Sequence, residues 1–260
     1  MEYHFNKYQG TGNDFIIIDN RNKTLKPGNV DLINKLCNRR FGIGADGLIL
    51  ISDHKVYDFE MKYFNSDGKE GTMCGNGGRC AVNFARSIGL ADKTTRFIAT
   101  DGVHEAKISD NIVDLKMSDV TDIKLIKGNY FMNTGSPHYI VFVKNVAETD
   151  VFQTGKKIRW FDDFAPGGTN VNFVEVTEKG IFVRTFERGV EDETLSCGTG
   201  STASAIASVL TGHLVTDYVE VKTMGGDLSV SFKIEGDQVK DVWLKGPAEF
   251  VYSGTISIDG

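Results

Sequence analysis

The chain has 260 residues, enough for one large domain or two small ones whose core needs no disulfide or metal. Apolar residues make up 40% of the sequence and the net charge of -6 is spread over interspersed acids and bases, so we expect a globular protein without a nucleic acid partner. No apolar run approaches the ~20 residues that span a bilayer, and the first residues lack a secretion signal, so we expect no membrane partner and a cytoplasmic location.

Hydrophobic periodicity predicts many strands and three helices. In chain order the pattern predicts a strand at 15–19, a helix at 31–40, strands at 48–51 and 58–65, a helix at 77–88, strands at 95–99, 113–117, 139–143, 173–176 and 181–186, a helix at 201–210, and strands at 219–222, 228–234, 242–245 and 249–252. The helix at 201–210 is small and apolar around nearly its whole circumference, which is typical of a helix buried on all sides. The arrangement indicates an α+β fold in which a mostly antiparallel sheet curls around a central helix, twice.

A four-residue phrase that begins with cysteine occurs twice. Cys74-Gly75-Asn76-Gly77 and Cys197-Gly198-Thr199-Gly200 lie 123 residues apart, and each leads into a predicted helix. The same offset relates glycines of the two halves in order, namely Gly12, Gly89 and Gly102 to Gly135, Gly212 and Gly225. Ordered matches at one long offset indicate two homologous, pseudo-symmetric domains rather than a solenoid. We place them at residues 1–118 and 119–249, with the final strand, about 250–260, left free to join the first.

The chain has four cysteines, which we expect to be reduced thiols because no secretion signal is present. No C-x-x-C pair and no cysteine–histidine spacing typical of zinc occurs, so we expect no metal site. Cys37 and Cys80 fit buried apolar positions. Cys74 and Cys197 instead open Gly-rich turns at predicted helix starts. Backbone N–H groups and the helix dipole stabilise a thiolate or a bound carboxylate at such a start.

Two such thiols could invert the configuration of one carbon atom. If the two domains face each other across a cleft, a thiolate could remove a proton from one face while a thiol returns a proton to the other. The two helix starts would bind the carboxylate beside the reacting carbon and stabilise the carbanion. This interpretation favours a racemase or an epimerase.

The segment 42–47 reads Gly-Ile-Gly-Ala-Asp-Gly and matches the letters of a dinucleotide-binding fingerprint. A predicted helix precedes it and a strand follows it, which is the reverse of the order that the fingerprint needs. We therefore interpret the segment as a turn. No Walker loop or metalloprotease motif occurs, and nothing marks a pyridoxal lysine, which leaves the question of a cofactor open at this point.

A series of phrases, spread in order over nearly the whole chain, resembles the diaminopimelate epimerase family. They are Gly12-Asn13-Asp14-Phe15, Phe41-Gly42-Ile43-Gly44-Ala45-Asp46-Gly47, Phe64-Asn65-Ser66-Asp67-Gly68, Met73-Cys74-Gly75-Asn76-Gly77-Gly78-Arg79-Cys80, Ser136-Pro137-His138, Thr169-Asn170-Val171-Asn172-Phe173, and Phe186-Glu187-Arg188-Gly189 followed by Ser196-Cys197-Gly198-Thr199-Gly200. The combination is far more specific than any single motif.

The resemblance implies a cofactor-independent isomerase that converts LL-2,6-diaminopimelate to meso-diaminopimelate in lysine and peptidoglycan precursor biosynthesis. It implies a small-molecule substrate, and it leaves a homodimer as one possible oligomeric state. The resemblance also implies that Cys74 and Cys197 are the two catalytic acid/base groups, assisted by His138 and Glu187. Substrate binding is implied for Asn13, Gly47, Asn65, Gly75, Asn76, Ser136, Asn170, Glu187, Arg188, Gly198 and Thr199, with the planar fork of Arg188 on the distal carboxylate.

Two positions depart from the commonest pattern of that family. Ser136 stands where Asn is usual, and Gly47 stands where a substrate-contacting Gln is frequent. Either change removes a hydrogen-bonding side chain near the distal amino acid group, which a water or a neighbouring side chain could replace. We expect the departures to affect substrate recognition and not the two-thiol chemistry.

Three other functions are compatible with the motifs. A two-thiol isomerase of the proline racemase kind shares the chemistry but needs no clamp for a second carboxylate, so Arg188 and Asn170 count against it. A thiol redox protein would cycle Cys74 and Cys197 through a disulfide. A non-catalytic amino-acid-binding module would tolerate the loss of both thiols.

Overall fold

The computed structural model describes residues 2–258 and contains two compact units. The first unit comprises Met1–Leu115 and Gly246–Gly260, and the second comprises Lys116–Lys245. Met1 lies outside the described residues, as do Asp259 and Gly260 at the end of the predicted final strand. Within the described part, no helix is long and apolar enough to cross a membrane.

The first unit is a mixed sheet with two helices. Its strands are β1 (Glu2–Gly10), β2 (Asn13–Asp19), β3 (Gly47–Ser52), β4 (Phe59–Asn65), β5 (Glu70–Gly71), β6 (Thr94–Ala99), β7 (Gly102–Ser109) and β8 (Ile112–Lys116), and its helices are α1 (Val30–Cys37) and α2 (Gly75–Ser87). The last strand of the chain, Glu249–Ser257, pairs antiparallel with β1 and so belongs to this unit. The β2–β3 and β4–β6 pairings are parallel, and β1–β2, β3–β4, β4–β5, β6–β7 and β7–β8 are antiparallel.

The second unit repeats this order of elements. Its strands are β9 (Ile123–Ile126), β10 (Asn129–Asn133), β11 (Pro137–Phe142), β12 (Asn170–Thr177), β13 (Gly180–Glu187), β14 (Asp192–Thr194), β15 (Tyr218–Thr223), β16 (Gly226–Glu235) and β17 (Gln238–Pro247), and its helices are α3 (Val151–Arg159) and α4 (Gly198–Leu210). The final strand is then β18. The parallel pairings, β11–β12 and β13–β15, fall at the positions equivalent to those of the first unit. The shared order confirms the predicted α+β fold of two pseudo-symmetric, mostly antiparallel halves.

Each unit buries one helix against most of its sheet. Helix α2 packs on β1, β2, β3, β4, β7 and β18, and helix α4 packs on β10, β11, β12, β13, β15 and β16. A helix that contacts strands from both ends of a sheet lies inside the curve of that sheet. In α4, every residue from 200 to 208 is buried, because its small side chains let strands approach on all sides, as predicted.

Several bounds differ from the sequence prediction. Helices α2 and α4 begin at Gly75 and Gly198 rather than at residues 77 and 201, because the Gly-rich phrases form the first helical turn. Strand β1 was missed because a register shift between Lys7 and Tyr8 interrupts its alternation of apolar and polar residues. Helix α3 was missed because it contains Gly155, a poor helix former. A Cβ atom at Gly155 would lie 2.4 Å from the Cβ atom of Phe186, so tertiary packing selects the glycine.

The strand topology brings the predicted site residues to one edge of each sheet. Strands β2 and β3 run parallel, so Asn13 and Gly47 begin them at the same edge. Strand β4 is antiparallel to β3, and its last residue, Asn65, pairs with Gly47. In the second unit, Asn170 begins β12 and Glu187 ends β13 at the equivalent edge.

Candidate active site

Cys74 occupies the N-cap position of α2, directly before the first helical residue, Gly75. Its backbone is extended, with φ -91° and ψ 133°, and its side chain makes no capping hydrogen bond to the helix. The amide N–H groups of a first helical turn lack intrahelical acceptors, and the helix dipole adds a positive potential there. The half-buried thiol therefore lies at a position that favours an anion.

Asn13 faces the Cys74 side chain from the start of β2. Its Oδ1 accepts hydrogen bonds from the Cys74 thiol at 3.7 Å and from Asn76 Nδ2 at 3.2 Å. Its Nδ2 donates to Asp46 Oδ2 at 2.7 Å, and Asp46 forms an ion pair with Arg39, also at 2.7 Å. Asp46 therefore holds the amide of Asn13 with its oxygen toward the thiol, a role that the sequence analysis missed.

Gly47, Tyr63 and Asn65 form a second group at the same sheet edge. Tyr63 Oη donates a hydrogen bond to Asn65 Oδ1 at 3.0 Å. A Cβ atom at position 47 would lie 2.5 Å from Tyr63 Cε2, so a larger residue would displace the tyrosine. The ring of Tyr63 thus fills the room that a side chain at position 47 would need, and its hydroxyl contacts the neighbouring asparagine. No sequence motif pointed to Tyr63.

Cys197 occupies the equivalent position of the second unit, the N-cap of α4. Its backbone is also extended, with φ -121° and ψ 111°, and the residue is 9% exposed. Its Sγ lies 3.5 Å from Oγ1 of Thr199. A hydroxyl can donate to a thiolate or accept from a thiol. The two thiols therefore share one backbone setting but face different groups, an amide oxygen at Cys74 and a hydroxyl at Cys197.

Thr199 belongs to a network around His138, which lies fully buried in β11. His138 Nε2 is 2.8 Å from Thr199 Oγ1 and 2.9 Å from Ser136 Oγ. Ser136 Oγ accepts from Asn170 Nδ2 at 3.0 Å. The structure thus brings together four residues that the sequence predicted for the site, and links them to Cys197 through the threonine hydroxyl.

The other ring nitrogen of His138 faces Asn172, to which the sequence analysis gave no role. Asn172 Nδ2 lies 3.0 Å from His138 Nδ1 and 3.4 Å from the carbonyl oxygen of Tyr139, and its Oδ1 accepts from Thr185 Oγ1 at 2.9 Å. Because the amide donates to Nδ1, the proton of the neutral ring is on Nε2 and points toward Thr199. Asn172 lies two residues after Asn170 on the same face of β12, and this spacing is the sequence signal that could have identified it.

Burial, with a smaller contribution from the nearby charge of Arg188, lowers the pKa of His138 to about 3. The unfolded chain therefore binds a proton at this histidine between pH 6.5 and 3, whereas the folded chain does not. The free energy of unfolding should fall with decreasing pH in this window by about 1.4 kcal/mol per pH unit. From pH 7 to 5 we expect the wild type to lose about 2 kcal/mol more than His138→Gln in chemical denaturation. Equal losses would show that His138 does not titrate on unfolding.

Asn170 positions Arg188, the residue that follows β13. Its Oδ1 accepts from the backbone N–H of Arg188 at 2.7 Å, and its Nδ2 donates to the carbonyl oxygen of Pro137 at 2.9 Å. Arg188 is half-buried, and its guanidinium takes part in no ion pair within residues 2–258. A guanidinium without a protein carboxylate suits a bidentate contact with a carboxylate ligand.

Glu187 lies one residue before this arginine and is held in place by the following turn. Its Oε2 accepts from Thr194 Oγ1 at 2.9 Å, and its carbonyl oxygen accepts from the backbone N–H of Glu191 at 2.8 Å. Glu191 forms an ion pair with the buried Arg159 at 2.7 Å and accepts from the backbone N–H of Gly189 at 3.0 Å. These contacts fix the turn that carries the Arg188 side chain.

The other two cysteines, Cys37 and Cys80, are buried as predicted, and burial raises the pKa of each thiol to about 12. All four cysteines are free thiols. In the described part of the chain, no cluster of His, Cys, Asp or Glu side chains could hold a metal ion. At neutral pH the thiols of Cys37 and Cys80 therefore stay protonated.

The sequence profile of a family described as diaminopimelate epimerase matches residues 5–121 and 130–251. The chain belongs to the diaminopimelate epimerase family. It is 51% identical to the diaminopimelate epimerase of Flavobacterium psychrophilum, over 96% of this chain and 98% of the relative. It is 45% identical to that of Chlorobaculum tepidum, over 96% and 99% of the two chains, and 41% identical to that of Aquifex aeolicus, over 97% of each. The family predicted from the motifs, and with it the isomerase class, is confirmed.

Solved structures with lower sequence identity share the fold. A phenazine biosynthesis protein of the PhzF family from Bacillus anthracis superposes with a TM-score of 0.81 at 16% identity, over 99% of this chain and 100% of that one. A hydroxyproline epimerase from Agrobacterium vitis superposes with a TM-score of 0.71 at 12% identity, over 100% and 93% of the two chains. At these identities the likeness concerns the fold alone, and it supports the predicted two-half architecture.

Proposed function

We propose that this protein epimerises LL-2,6-diaminopimelate to meso-diaminopimelate without a cofactor, with Cys74 and Cys197 as the two acid/base groups. The observation that carries the proposal is that each unit places one cysteine, outside any disulfide, at the N-cap of its central helix, in the same backbone setting. The curated relatives named diaminopimelate epimerase support the choice of substrate.

The reaction needs one thiolate and one thiol. The thiolate takes the α-proton of the substrate and becomes a thiol, while the electron pair of the broken C–H bond delocalises into the adjacent carboxylate. The second thiol then gives its proton to the opposite face of the carbon and becomes the thiolate. The carbon is inverted, protons and charge balance, and the enzyme is left ready for the reverse reaction. Helix N-termini stabilise the doubly charged carboxylate that forms during the step.

The two ends of the substrate would be bound by different groups. The reacting carboxylate suits the backbone at Gly75, Asn76, Gly198 and Thr199, since these residues begin the two helices. The distal carboxylate suits the guanidinium of Arg188. We assign the remaining polar contacts with the substrate to Asn13, Asn65, Ser136, Asn170 and Glu187, and the space for the distal end to Gly47.

His138 and Glu187 would assist the chemistry. The Nε2–H group of His138 donates to Thr199, which leaves the threonine hydroxyl able to donate to a thiolate at Cys197. Glu187, beside Arg188, supplies a carboxylate for a cationic group of the substrate. The proposal places the protein in lysine and peptidoglycan precursor biosynthesis in the cytoplasm. Residues 1–118 and 119–249 are its two epimerase halves, and a homodimer is the oligomeric state to test.

The proposal is tested with purified protein in D₂O, without added metal or pyridoxal phosphate. We expect LL-diaminopimelate to form the meso isomer and to gain deuterium at its α-carbon, as followed by chiral chromatography and mass spectrometry. L-Proline in a parallel reaction should gain none. Rapid exchange of proline with none of diaminopimelate would instead support an isomerase of the proline racemase kind.

The same samples separate the other two alternatives. A thiol redox protein would show a reversible disulfide between Cys74 and Cys197 and no deuterium in either amino acid. A binding module would retain diaminopimelate in equilibrium dialysis and leave its hydrogens unexchanged. Either result would contradict the proposed epimerisation.

A further inference from the structure

Arg79, in α2, is the largest fully buried side chain among the described residues, with 0% of its surface exposed. Its Nε donates to the carbonyl oxygen of Pro247 at 3.3 Å, its Nη1 to that of Gly75 at 3.5 Å, and its Nη2 to Thr11 Oγ1 at 3.4 Å. All three acceptors are neutral, and all three distances are long for hydrogen bonds of a charged donor. Within residues 2–258, Arg79 forms no ion pair.

Two other arginines of the chain show the usual arrangement. Arg159, also buried, pairs with Glu191 at 2.7 Å, and Arg184 pairs with Glu193 at 2.6 Å. A buried cation without a carboxylate carries a large desolvation penalty. Burial accordingly lowers the pKa of Arg79. The helix dipole adds to the penalty, because Arg79 lies near the positive end of α2. A cation that is present despite the desolvation penalty and the helix dipole indicates a nearby anion that it stabilises.

The position of Arg79 identifies that anion. Its Nη1 donates to the carbonyl oxygen of Gly75, the neighbour of Cys74, and a negative charge on Cys80 or on Cys74 would raise the pKa of Arg79. Cys80 stays protonated because burial raises its pKa to about 12. Gly10 leaves room for the arginine, since a Cβ atom there would lie 3.2 Å from Nη2. Cys74, half-buried at the helix start, is therefore the thiol beside this charge that the proposed reaction would ionise.

We propose that Arg79 is a positioning residue whose charge stabilises the Cys74 thiolate and a carboxylate bound at the start of α2. The inference rests on the proposed function, in which Cys74 alternates between thiol and thiolate. The Oδ1 atom of Asn13 accepts from the Cys74 thiol and favours the protonated form. Arg79 and the helix dipole oppose that preference, because a positive charge favours the thiolate.

The proposal is tested by alkylation with iodoacetamide as a function of pH, with each modified cysteine quantified by peptide mass spectrometry. Only the thiolate reacts, so the midpoint of the rate profile reports its ionisation. In Arg79→Met we expect the Cys74 midpoint to rise by about one pH unit or more, which lowers its alkylation rate at pH 7 about tenfold. Arg79→Lys keeps the charge and should shift the midpoint less. Cys197, in the other unit, should keep its profile in both variants.

Arg86→Met is the matched control, because it removes a cation from the same helix at a position where Nη1 bonds the carbonyl oxygen of Asp110 at 3.3 Å. It should leave the Cys74 profile unchanged. An unchanged Cys74 midpoint in folded Arg79→Met would overturn the proposal. Arg79 would then have only a structural role, through its hydrogen bonds to Thr11 and Pro247.

Arg79→Lys carries the test if Arg79→Met does not fold, since it keeps a cation at the same position. A Cys74 midpoint in Arg79→Lys as high as that of an exposed cysteine would then overturn the proposal. The alkylation readout needs no turnover. A protein that lacks epimerase activity would contradict the proposed function while leaving this result intact.

Discussion

Replacing Cys74 or Cys197 with alanine is expected to lower the rate of diaminopimelate epimerisation by about 10³-fold or more, because the proposed mechanism assigns the acid/base catalysis on one face of the carbon to each thiol. Neither side chain caps its helix, so the change removes a reactive group at little cost in folding. Conversion of LL- to meso-diaminopimelate at saturating substrate measures the effect. Full activity in either variant would contradict the two-thiol mechanism.

Cys37→Ala is the control for the loss of a thiol as such. Cys37 is 3% exposed, packs in the hydrophobic core of the first unit and has no assigned part in the reaction. Its replacement should leave the epimerisation rate unchanged and lower the free energy of unfolding by about 1–2 kcal/mol, since it leaves a small cavity. A comparable loss of activity in Cys37→Ala would show that loss of a cysteine acts through folding.

Replacing Arg188 with alanine is expected to lower kcat/KM for diaminopimelate about 10²–10³-fold, equivalent to about 3–4 kcal/mol of lost binding to a charged group. Among residues 2–258 no carboxylate pairs with the guanidinium, so its removal abolishes the proposed contact with the distal carboxylate and leaves no unpaired protein anion there. Arg188→Lys should recover only part of the loss, because an ammonium group lacks the bidentate fork. Steady-state kinetics with LL-diaminopimelate measure both variants.

L-Lysine provides the matched control, because it is diaminopimelate without the distal carboxylate. Its slow α-hydrogen exchange in D₂O should be the same in the wild type and in Arg188→Ala. If both compounds lose the same factor, Arg188 acts on the site as a whole rather than on the distal carboxylate. Equal kcat/KM for diaminopimelate in the wild type and the variant would remove Arg188 from the substrate site.

The local sequence largely determines the backbone conformation at the starts of α2 and α4. The phrase of a cysteine followed by a glycine-containing turn produces the same N-cap conformation twice, because the residues that set it are neighbours along the chain. The two halves share the order of their elements, since each half encodes its own strands and central helix, and the two central helices begin 123 residues apart. Helix α3 shows the limit, because Gly155 is selected by contact with Phe186 in a strand far along the chain.

The groups around the thiols are decided by the tertiary structure. The sequence shows that Gly47 lacks a side chain, but only the pairing of β3 with β4 shows that the ring of Tyr63 occupies that space. Likewise, the contact between Asn172 and His138 depends on the parallel pairing of β11 with β12.

Sequence motifs therefore identify the two thiols and the residues expected to bind the substrate, because these occur in short, recognisable phrases. They do not reveal that the amide oxygen of Asn13 faces the Cys74 thiol and that the Thr199 hydroxyl faces the Cys197 thiol. Nor do they reveal that Arg79 is fully buried and forms no ion pair with the residues that the structure describes. These features depend on side chains that approach from separate strands and on the burial that sets their charge. Packing decides both, so the surroundings of Cys74 and Cys197 follow from the fold rather than from the phrase that contains them.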